Sequence, residues 1–507
     1  MTELDTTSEN ATNKGKYRRR RKDSQAQELN LNEEFNDKLL DTKIWPALIW
    51  SVLLSVISVA NPFLTFLATN VQTQNLYAGM AMMNGQHPYG DFFGTNGVLF
   101  YLMSWIGHIG GSFIVFGLLQ FIAVFIAGVY FYKITAYFSS SERIATNFSH
   151  WFYIFIFALG FGGLYAELFV LPFLLTSLWF LVRYFENAVR DEAFILYGID
   201  AALVFLIYPK SLVLWLIAGV LLFFFNIQHQ QKARGVYQFL ATIFGFLFIL
   251  YIVGYYTFEA EILGTAIQQT FLYNLRLEFV QTSLYFALAM FSAFLVFSGF
   301  LKNIFQTLFS LGTGKYTYFK ALALLAFVIQ SVFIIGDADF HWSQLVLLLP
   351  FGFVMAVVHV SSSSEEDEEH GYLRRQFFLP LVVALGIVGQ PAYTYFVQGD
   401  IISERGVIAE YISGQSSSDD TIFVWDNSAS IYLSSQRLSS ATIIAAKPFL
   451  DTDENKRNLV YDLNRNAARF IVVNKGIPLL DDITSNLELQ YKQVESYDHF
   501  VIYQKNE

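Results

Sequence analysis

A chain of 507 residues that is 54% hydrophobic, 18% aromatic and only 15% charged has too little charge to cover a soluble protein of its size, and its apolar runs are long enough to cross a bilayer. The absence of Cys excludes a disulfide framework, a thiolate metal site and a cysteine nucleophile in this chain. The formal net charge of -10 says little alone, because the charges are segregated along the chain and their placement is the signal.

Residues 1–43 are polar and carry the run Lys14, Lys16, Arg18, Arg19, Arg20, Arg21 and Lys22 upstream of the first apolar stretch, which by the positive-inside rule predicts a cytoplasmic N-terminal tail. Such a run suits anionic lipid headgroups better than nucleic acid, so no nucleic-acid partner is expected. A cleavable signal is not expected either, since the stretch from Ile44 to about Ala68 is longer than a signal core and lacks a small-residue cleavage end.

At about 20 apolar residues per span, crossings fall near Ile44–Ala68, Ser112–Thr135, Asn147–Gly163, Leu171–Phe185, Ala193–Tyr208, Ser211–Ile227, Tyr237–Tyr256, Leu284–Phe305, Phe319–Gly336, Trp342–Val360 and Gln376–Val397. Residues 44–397 therefore read as a transmembrane domain of about eleven helices. Arg143, Arg183, Arg190, Lys232, Arg234, Lys302, Lys315, Lys320, Arg374 and Arg375 all fall at ends this count makes cytoplasmic. The outer side keeps few cations, chiefly Lys210 and Arg276. The acidic run Glu365, Glu366, Asp367, Glu368 and Glu369 reads as a solvated cytoplasmic loop.

The first outer loop, about residues 69–111, is organised on Gln74 to Tyr101, a stretch too polar and Gly-rich to span. Gly85, Pro88, Gly90, Gly94 and Gly97 punctuate it, while Tyr77, Tyr89, Phe92, Phe93, Phe100 and Tyr101 are expected at the headgroup level. Leu99–Ile109 is apolar but short, and reads as a re-entrant or interfacial piece. Asp91 is the one carboxylate in the loop; it either carries chemistry, or caps a helix or binds Gly-loop amides.

The other outer-side ionisable groups are Glu167, Lys210, Glu259, Glu261, Arg276, Glu278, Asp337, Asp339 and His341. Asp337, Asp339 and His341 are spaced so that one loop could offer them to a divalent cation, while exposed turn acids are the plainer reading. Asp200 is placed near the middle of the fifth span, where an acid is functional or partner-bound by default.

From about residue 398 the composition turns soluble. Short β-type runs at Thr421–Trp425, Thr442–Ala446, Arg469–Val473 and Phe500–Tyr503 alternate with helical patterns, which predicts a small α/β domain over residues 398–507, extracytoplasmic by the odd span count.

NGQHPYGDFFGTNG in the first loop, GGLYAELFVLPF at Gly162–Phe173, IYPK at Ile207–Lys210 and DFHWSQLVLLLPF at Asp339–Phe351 together resemble the GT-C superfamily of polyprenyl-phosphate-sugar-dependent glycosyltransferases. The resemblance is to the bacterial branch akin to protein O-mannosyltransferases and aminoarabinose transferases. It implies a bacterial plasma-membrane enzyme that moves a sugar, with inversion, from a polyprenyl-phosphate donor to a cell-envelope glycopolymer or glycolipid. An acceptor hydroxyl attacks the anomeric carbon, a lipid phosphate leaves, and the site needs a base at the hydroxyl and cations at the phosphate.

On that resemblance Asp91 and Glu167 are the candidate catalytic carboxylates and Lys210 and His341 the candidate donor-phosphate contacts, with Arg276 a further phosphate candidate by its outer-side location alone. Tyr89, Gln74 and Asn75 would shape the loop or the acceptor site. The chain departs from the family pattern near the loop start, where Val71, Gln72, Gln74 and Asn75 stand where members often carry an acid. It departs again at DFFGTNG, where members often have a D-x-K-G-P-like sequence. Two other readings stay open: a catalytically inactive GT-C-like scaffold of envelope polysaccharide assembly, and a lipid-linked sugar transporter. The latter is disfavoured because no repeat is visible and the polar groups crowd one side.

Overall fold

The computed structural model describes residues 35–160, 163–277, 281–312, 316–337, 340–360, 379–446, 450 and 452–506. The N-terminal basic run, Glu278, Lys315, Asp339, the acidic run and Arg374 and Arg375 lie outside the described residues.

From Ile44 the chain forms helix α1 (Ile44–Val56) and a 3-10 turn at Pro62–Leu67, then α2 (Asn70–Met83) and α3 (Val98–Gly107). A bundle follows: α4 (Ile114–Ser139), α5 (Glu142–Gly160), α6 (Ala166–Phe185), α7 (Phe194–Ile207), α8 (Val213–Gln228) and α9 (Lys232–Glu259). After a π-helical turn at Ile267–Leu272 come α10 (Gln281–Ser298), α11 (Phe300–Phe309), α12 (Thr317–Ile335), the 3-10 helix Trp342–Leu348 running into α13 (Leu349–Val360), and α14 (Leu379–Phe396).

Every predicted span contains helix, but among the described residues six helices are long and apolar enough to cross a membrane, or seven if a bent pair counts as one span. The pair is α10 and α11, turned by 77°. Gly299 sits between them with φ 76°, a left-handed conformation that a side chain resists and that ends the helical hydrogen-bond run. α3 has ten residues and rises only about 15 Å, half of a hydrocarbon core.

Burial separates the helices. The window over Trp342–His359 is 89% buried and forms the centre, whereas that of α9 is 17% buried and presents Phe239, Phe244, Phe248 and Tyr251 outward, as a lipid-facing helix must. In the centre, aromatic rings carry much of the packing: Phe131 stacks on Phe152 at 4.2 Å, and Phe353 meets Phe131, Phe155 and Phe300 edge-on.

The C-terminal segment starts with α15 (Gly399–Gln415) and forms a four-stranded sheet of β1 (Ile422–Trp425), β2 (Phe470–Asn474), β3 (Tyr491–Ser496) and β4 (Phe500–Lys505) in the order β1-β2-β4-β3. β1 and β2 are parallel, and the other pairings are antiparallel. Helices α16 (Ser430–Ser435), α17 (Asp453–Arg465) and α18 (Asp481–Gln490) complete the unit. The run Thr442–Ala446 forms no strand, although most of it is buried: Phe93 N–H donates to the Thr442 carbonyl, and Ala446 N–H to the Asp426 carbonyl just past β1, so the segment bridges the first loop and the sheet without a ladder of its own.

That docking also corrects the first loop. Tyr77, Tyr89, Phe92, Phe93, Phe100 and Tyr101 are all buried inside the protein, not at a lipid headgroup level: the C-terminal unit packs on Tyr77 and Phe93, while Phe100 packs on Phe116 and Phe169 of the bundle. Tyr77 packs on Tyr432 at 5.1 Å and its hydroxyl accepts from Ser439 N–H at 2.9 Å.

Candidate functional site

α2 is built to be buried with its polar face inward. Thr69 and Gln72 form a capping box at its start, and Gln72, Thr73, Gln74 and Asn75 are all buried. Each side chain has a partner: Gln72 Nε2 donates to the Gly163 carbonyl at 2.7 Å, Asn75 Nδ2 to the Leu164 carbonyl at 2.8 Å and Gln74 Nε2 to the Asn427 carbonyl at 3.0 Å. Thr73 Oγ1 accepts from Ala429 N–H at 3.1 Å. One helix therefore ties the start of α6 to the C-terminal unit, and buried polar groups so satisfied fix a unique arrangement.

The link to Leu164 sets up Glu167. Leu164 adopts φ 61°, held by Asn75 at its carbonyl and by Gln120 Oε1 at its N–H, 2.8 Å away. α6 starts two residues later with Glu167 in its first turn, where the helix dipole favours an anion. Glu167 is only 2% exposed, and its Oε1 lies 3.1 Å from His341 Nε2. The His341 ring stacks on Tyr165, centroids 6.0 Å apart.

Lys210 comes from the 3-10 turn Pro209–Ser211 after α7. Its Nζ is 2.5 Å from Asp337 Oδ2, which also accepts from Gln344 Nε2 at 2.7 Å. His341 caps the 3-10 helix that carries Gln344, and at three residues per turn the two share a face. Gly97 fixes the distance between the loop and this corner: its N–H donates to the Ile207 carbonyl at 2.9 Å, and a Cβ there would sit 2.0 Å from the Leu206 carbonyl oxygen.

These elements enclose a narrow cleft of about 70 Å³ whose wall includes Gln74, Asn75, Asn96, Tyr101, Glu167, Tyr208, Lys210, Tyr273, Asp337, His341 and Gln344. A larger, mostly apolar cavity of about 830 Å³ adjoins it, walled by Phe155, Leu159, Phe294, Phe297, Trp342 and Leu385 among others. Val71, Gln74 and His341 belong to both.

Of the residues singled out from sequence, the cleft gathers Glu167, Lys210, His341, Asp337, Gln74 and Asn75. Asp91 is exposed, does not line the cleft, and its Oδ2 accepts from His87 N–H at 2.7 Å across a tight turn. Arg276 is exposed and does not line the cleft; it stands over the ring of Tyr273, which does, 5.8 Å from its centroid. Tyr89 does not line the cleft and instead supports Asn96, which does. Its hydroxyl donates to the Asn96 carbonyl at 2.7 Å and its carbonyl accepts from Gln269 Nε2 at 3.0 Å, and burial pushes its phenol well up.

Asp200 bonds Thr176 Oγ1 at 2.8 Å and Ser177 Oγ at 3.1 Å on α6, away from the cleft. Among the described residues no group of three His, Asp or Glu side chains could hold a metal ion. Asp337 and His341 are turned to different partners, Lys210 and Glu167, and Asp339 lies outside the described residues. Gln344, Asn96 and Tyr208 are wall residues that sequence reasoning missed. For Gln344 the signal was its spacing of three from His341 in HWSQ.

Among solved structures, one of ArnT from Cupriavidus metallidurans bound to undecaprenyl phosphate matches with a TM-score of 0.55 at 10% identity, covering 90% of this chain and 96% of that one. The Archaeoglobus fulgidus oligosaccharyltransferase in complex with Zn and sulfate matches at a TM-score of 0.45 and 14% identity, over 90% of this chain and 73% of that one. The ArnT likeness shows that the fold is GT-C. No curated protein matches the chain by sequence. Two family descriptions cover it almost end to end: "Putative competence-induced protein Ccs4 N-terminal domain" over residues 36–399 and "Putative competence-induced protein Ccs4 C-terminal domain" over residues 402–506. The chain is a member of the Ccs4 family, a GT-C-fold membrane protein whose matched C-terminal domain closes over its first loop.

Proposed function

We propose that this protein is a membrane glycosyltransferase that moves a sugar from a polyprenyl-phosphate donor to a hydroxyl of an envelope glycopolymer or glycolipid, with inversion. The observation that carries the reading is the junction of a polar, charge-lined cleft with an apolar cavity at His341, Gln74 and Val71. An amphipathic donor needs both surfaces side by side, one for its prenyl chain and one for its phosphate and sugar.

In this reading the acceptor hydroxyl oxygen attacks the anomeric carbon as the bond from that carbon to the phosphate oxygen breaks. The proton passes to a carboxylate, and the leaving phosphate keeps the bonding electron pair. Glu167 is the fitting base, being a carboxylate in the cleft wall, buried, and oriented by His341. Lys210, held in place by Asp337, faces the departing phosphate charge, and Arg276, stacked on the cleft residue Tyr273, is a second cation for it. Gln74 and Asn75 position the acceptor side of the cleft. Asp91 holds the loop in shape through the His87 amide. The protein works in a bacterial plasma membrane, with the cleft and the C-terminal domain on the outer side.

The test is the envelope carbohydrate of cells with the wild-type gene, a deletion, and Glu167→Gln, at matched membrane levels. The reading expects the substitution to reproduce the deletion by losing one sugar substituent. A deletion that leaves the carbohydrate unchanged overturns it, and so does a deletion phenotype that Glu167→Gln does not share.

A further inference from the structure

The chain after α9 leaves α-helical geometry at Ile267–Leu272, where the backbone is π-helical and Tyr273 N–H donates to the Gln268 carbonyl, five residues earlier, at 2.9 Å. Such turns are rare and concentrate at functional sites. Closing the turn over five residues brings Tyr273 and Asn274 onto the face of Gln269, whereas an α-helix would turn Asn274 about 140° away. All three use that face to hold the first outer loop.

Gln269 is half-buried, and its amide spans the tight part of the loop: Oε1 accepts from Gly94 N–H at 3.0 Å and Nε2 donates to the Tyr89 carbonyl at 3.0 Å. Tyr89 has φ 67°, a left-handed conformation that a side chain resists, and the bond at its carbonyl holds that strain in place. Asn274 is buried, and its Nδ2 donates to the Thr95 carbonyl at 2.7 Å. Tyr273 meets Phe93 edge-on, ring centroids 5.4 Å apart. The loop residues held in this way or next to them, Phe92, Phe93, Thr95 and Asn96, line the polar cleft and not the apolar cavity. Asn96 Nδ2 in turn reaches Asn75 Oδ1 at 3.4 Å, so the chain of contacts ends on the acceptor side of the cleft. Gln269 and Asn274 line neither space, and any effect they have on chemistry passes through the loop.

We propose that this π-helical turn is a clamp that positions the acceptor wall of the cleft, with Gln269 as its central positioning residue. The inference rests on the glycosyltransferase reading. With both amide bonds gone, the turn from Tyr89 to Gly94 relaxes toward an ordinary backbone and carries Phe92, Phe93 and Asn96 off their places, and a misplacement of about 1 Å can cost about 10²-fold in rate. The apolar cavity shares no residue with the clamp, and Lys210 is held by Asp337, so binding of the lipid phosphate persists.

Two readouts test the clamp. In cells, at matched membrane levels, the envelope sugar substituent that a deletion removes should fall about tenfold or more with Gln269→Met, which keeps the length of the side chain but neither bond, and with Asn274→Ala. The full chain in lipid nanodiscs should bind undecaprenyl phosphate within about twofold of wild type in both variants. Gln268→Ala, which removes a surface bond to Glu454, should leave both readouts unchanged. A wild-type level of substituent in Gln269→Met and Asn274→Ala overturns the clamp. So does undecaprenyl phosphate binding that falls in step with the substituent, the mark of a general distortion of the outer face, or an equal loss in Gln268→Ala. A deletion that leaves the carbohydrate unchanged, or a wild type that does not bind undecaprenyl phosphate, overturns the glycosyltransferase reading and the inference with it, whereas a deletion phenotype that the clamp variants do not share removes the clamp alone.

Discussion

Glu167 Oε1 and His341 Nε2 lie 3.1 Å apart across 174 residues of chain, with the Glu167 side chain 3% exposed and that of His341 23% exposed. A carboxylate so buried needs its partner, and the partner also fixes where its second oxygen points. Glu167→Gln keeps the shape and a hydrogen-bonding side chain while removing the basic oxygen. Sugar transfer should fall by about 10²–10⁴-fold with little change in melting midpoint. His341→Phe, which keeps a ring against Tyr165, should cost less transfer than Glu167→Gln. Transfer measured on purified protein in both variants checks the order, and a Glu167→Gln enzyme with wild-type rate refutes the assignment of the base.

Lys210 and Asp337 make the second pair, with side chains 13% and 10% exposed. Removing one partner leaves the other charge half-desolvated beside Gln344. Lys210→Met should lower stability by about 1–3 kcal/mol, less than for a fully buried pair, and should weaken undecaprenyl phosphate binding by at least tenfold if the ammonium meets the phosphate. Asp337→Asn keeps the Gln344 bond and the cation, so it should destabilise without comparable loss of lipid binding. Equal effects of the two substitutions on lipid binding would count against a phosphate role for Lys210.

Much of the helical layout was legible because apolar runs of about 20 residues have few alternatives. The turns between them also placed Glu167, Lys210 and His341 at helix ends on one side, and the cleft gathers all three. The sequence could not show the cover. Tyr77 and Phe93 look like interfacial aromatics until the C-terminal domain is seen to bury them, because that burial depends on contacts such as Tyr77 to Ser439, 362 residues apart. The same remoteness hid Gln269, and it made Asp91 look more important than its exposed position suggests.

Asp91 gives the matching prediction. Its Oδ2 accepts from the His87 amide at 2.7 Å, and an Asn side-chain oxygen can accept the same bond. Asp91→Asn should therefore change transfer less than twofold and stability by less than about 0.5 kcal/mol, as surface substitutions usually do. A loss of activity as large as that of Glu167→Gln would move the base from the cleft to the loop.

Gly97 ties loop geometry to the cation. A Cβ at this position would lie 2.0 Å from the Leu206 carbonyl oxygen and 2.2 Å from its carbon, and both are backbone atoms that cannot rotate away. Gly97→Ala must push α3 off the Ile207–Lys210 corner. It should lower the melting midpoint and also weaken lipid-phosphate binding, whereas Gly85→Ala, where nothing lies within 4 Å, should leave lipid binding alone and cost only the strain of its left-handed backbone. Paired melting and lipid-binding measurements on the two variants separate a general folding defect from displacement of Lys210.

Arg405 and Asp426 test whether the C-terminal domain acts as a rigid wall. Arg405 Nη2 lies 2.7 Å from Asp426 Oδ2, and the carboxylate side chain is 1% exposed. Arg405→Ala strands that carboxylate in the interior, at a cost of about 3–5 kcal/mol, and Arg405→Lys should recover part of it, since an ammonium restores the charge but not the guanidinium geometry. Because Asp426 also holds the Asn427 N–H, the loop that bonds Gln74 should loosen with it. Limited proteolysis should then cut between the transmembrane and C-terminal domains faster in Arg405→Ala than in wild type, with Arg405→Lys between them. An Arg405→Ala protein with unchanged melting and cleavage would mean that the domain is held by the α2 contacts alone.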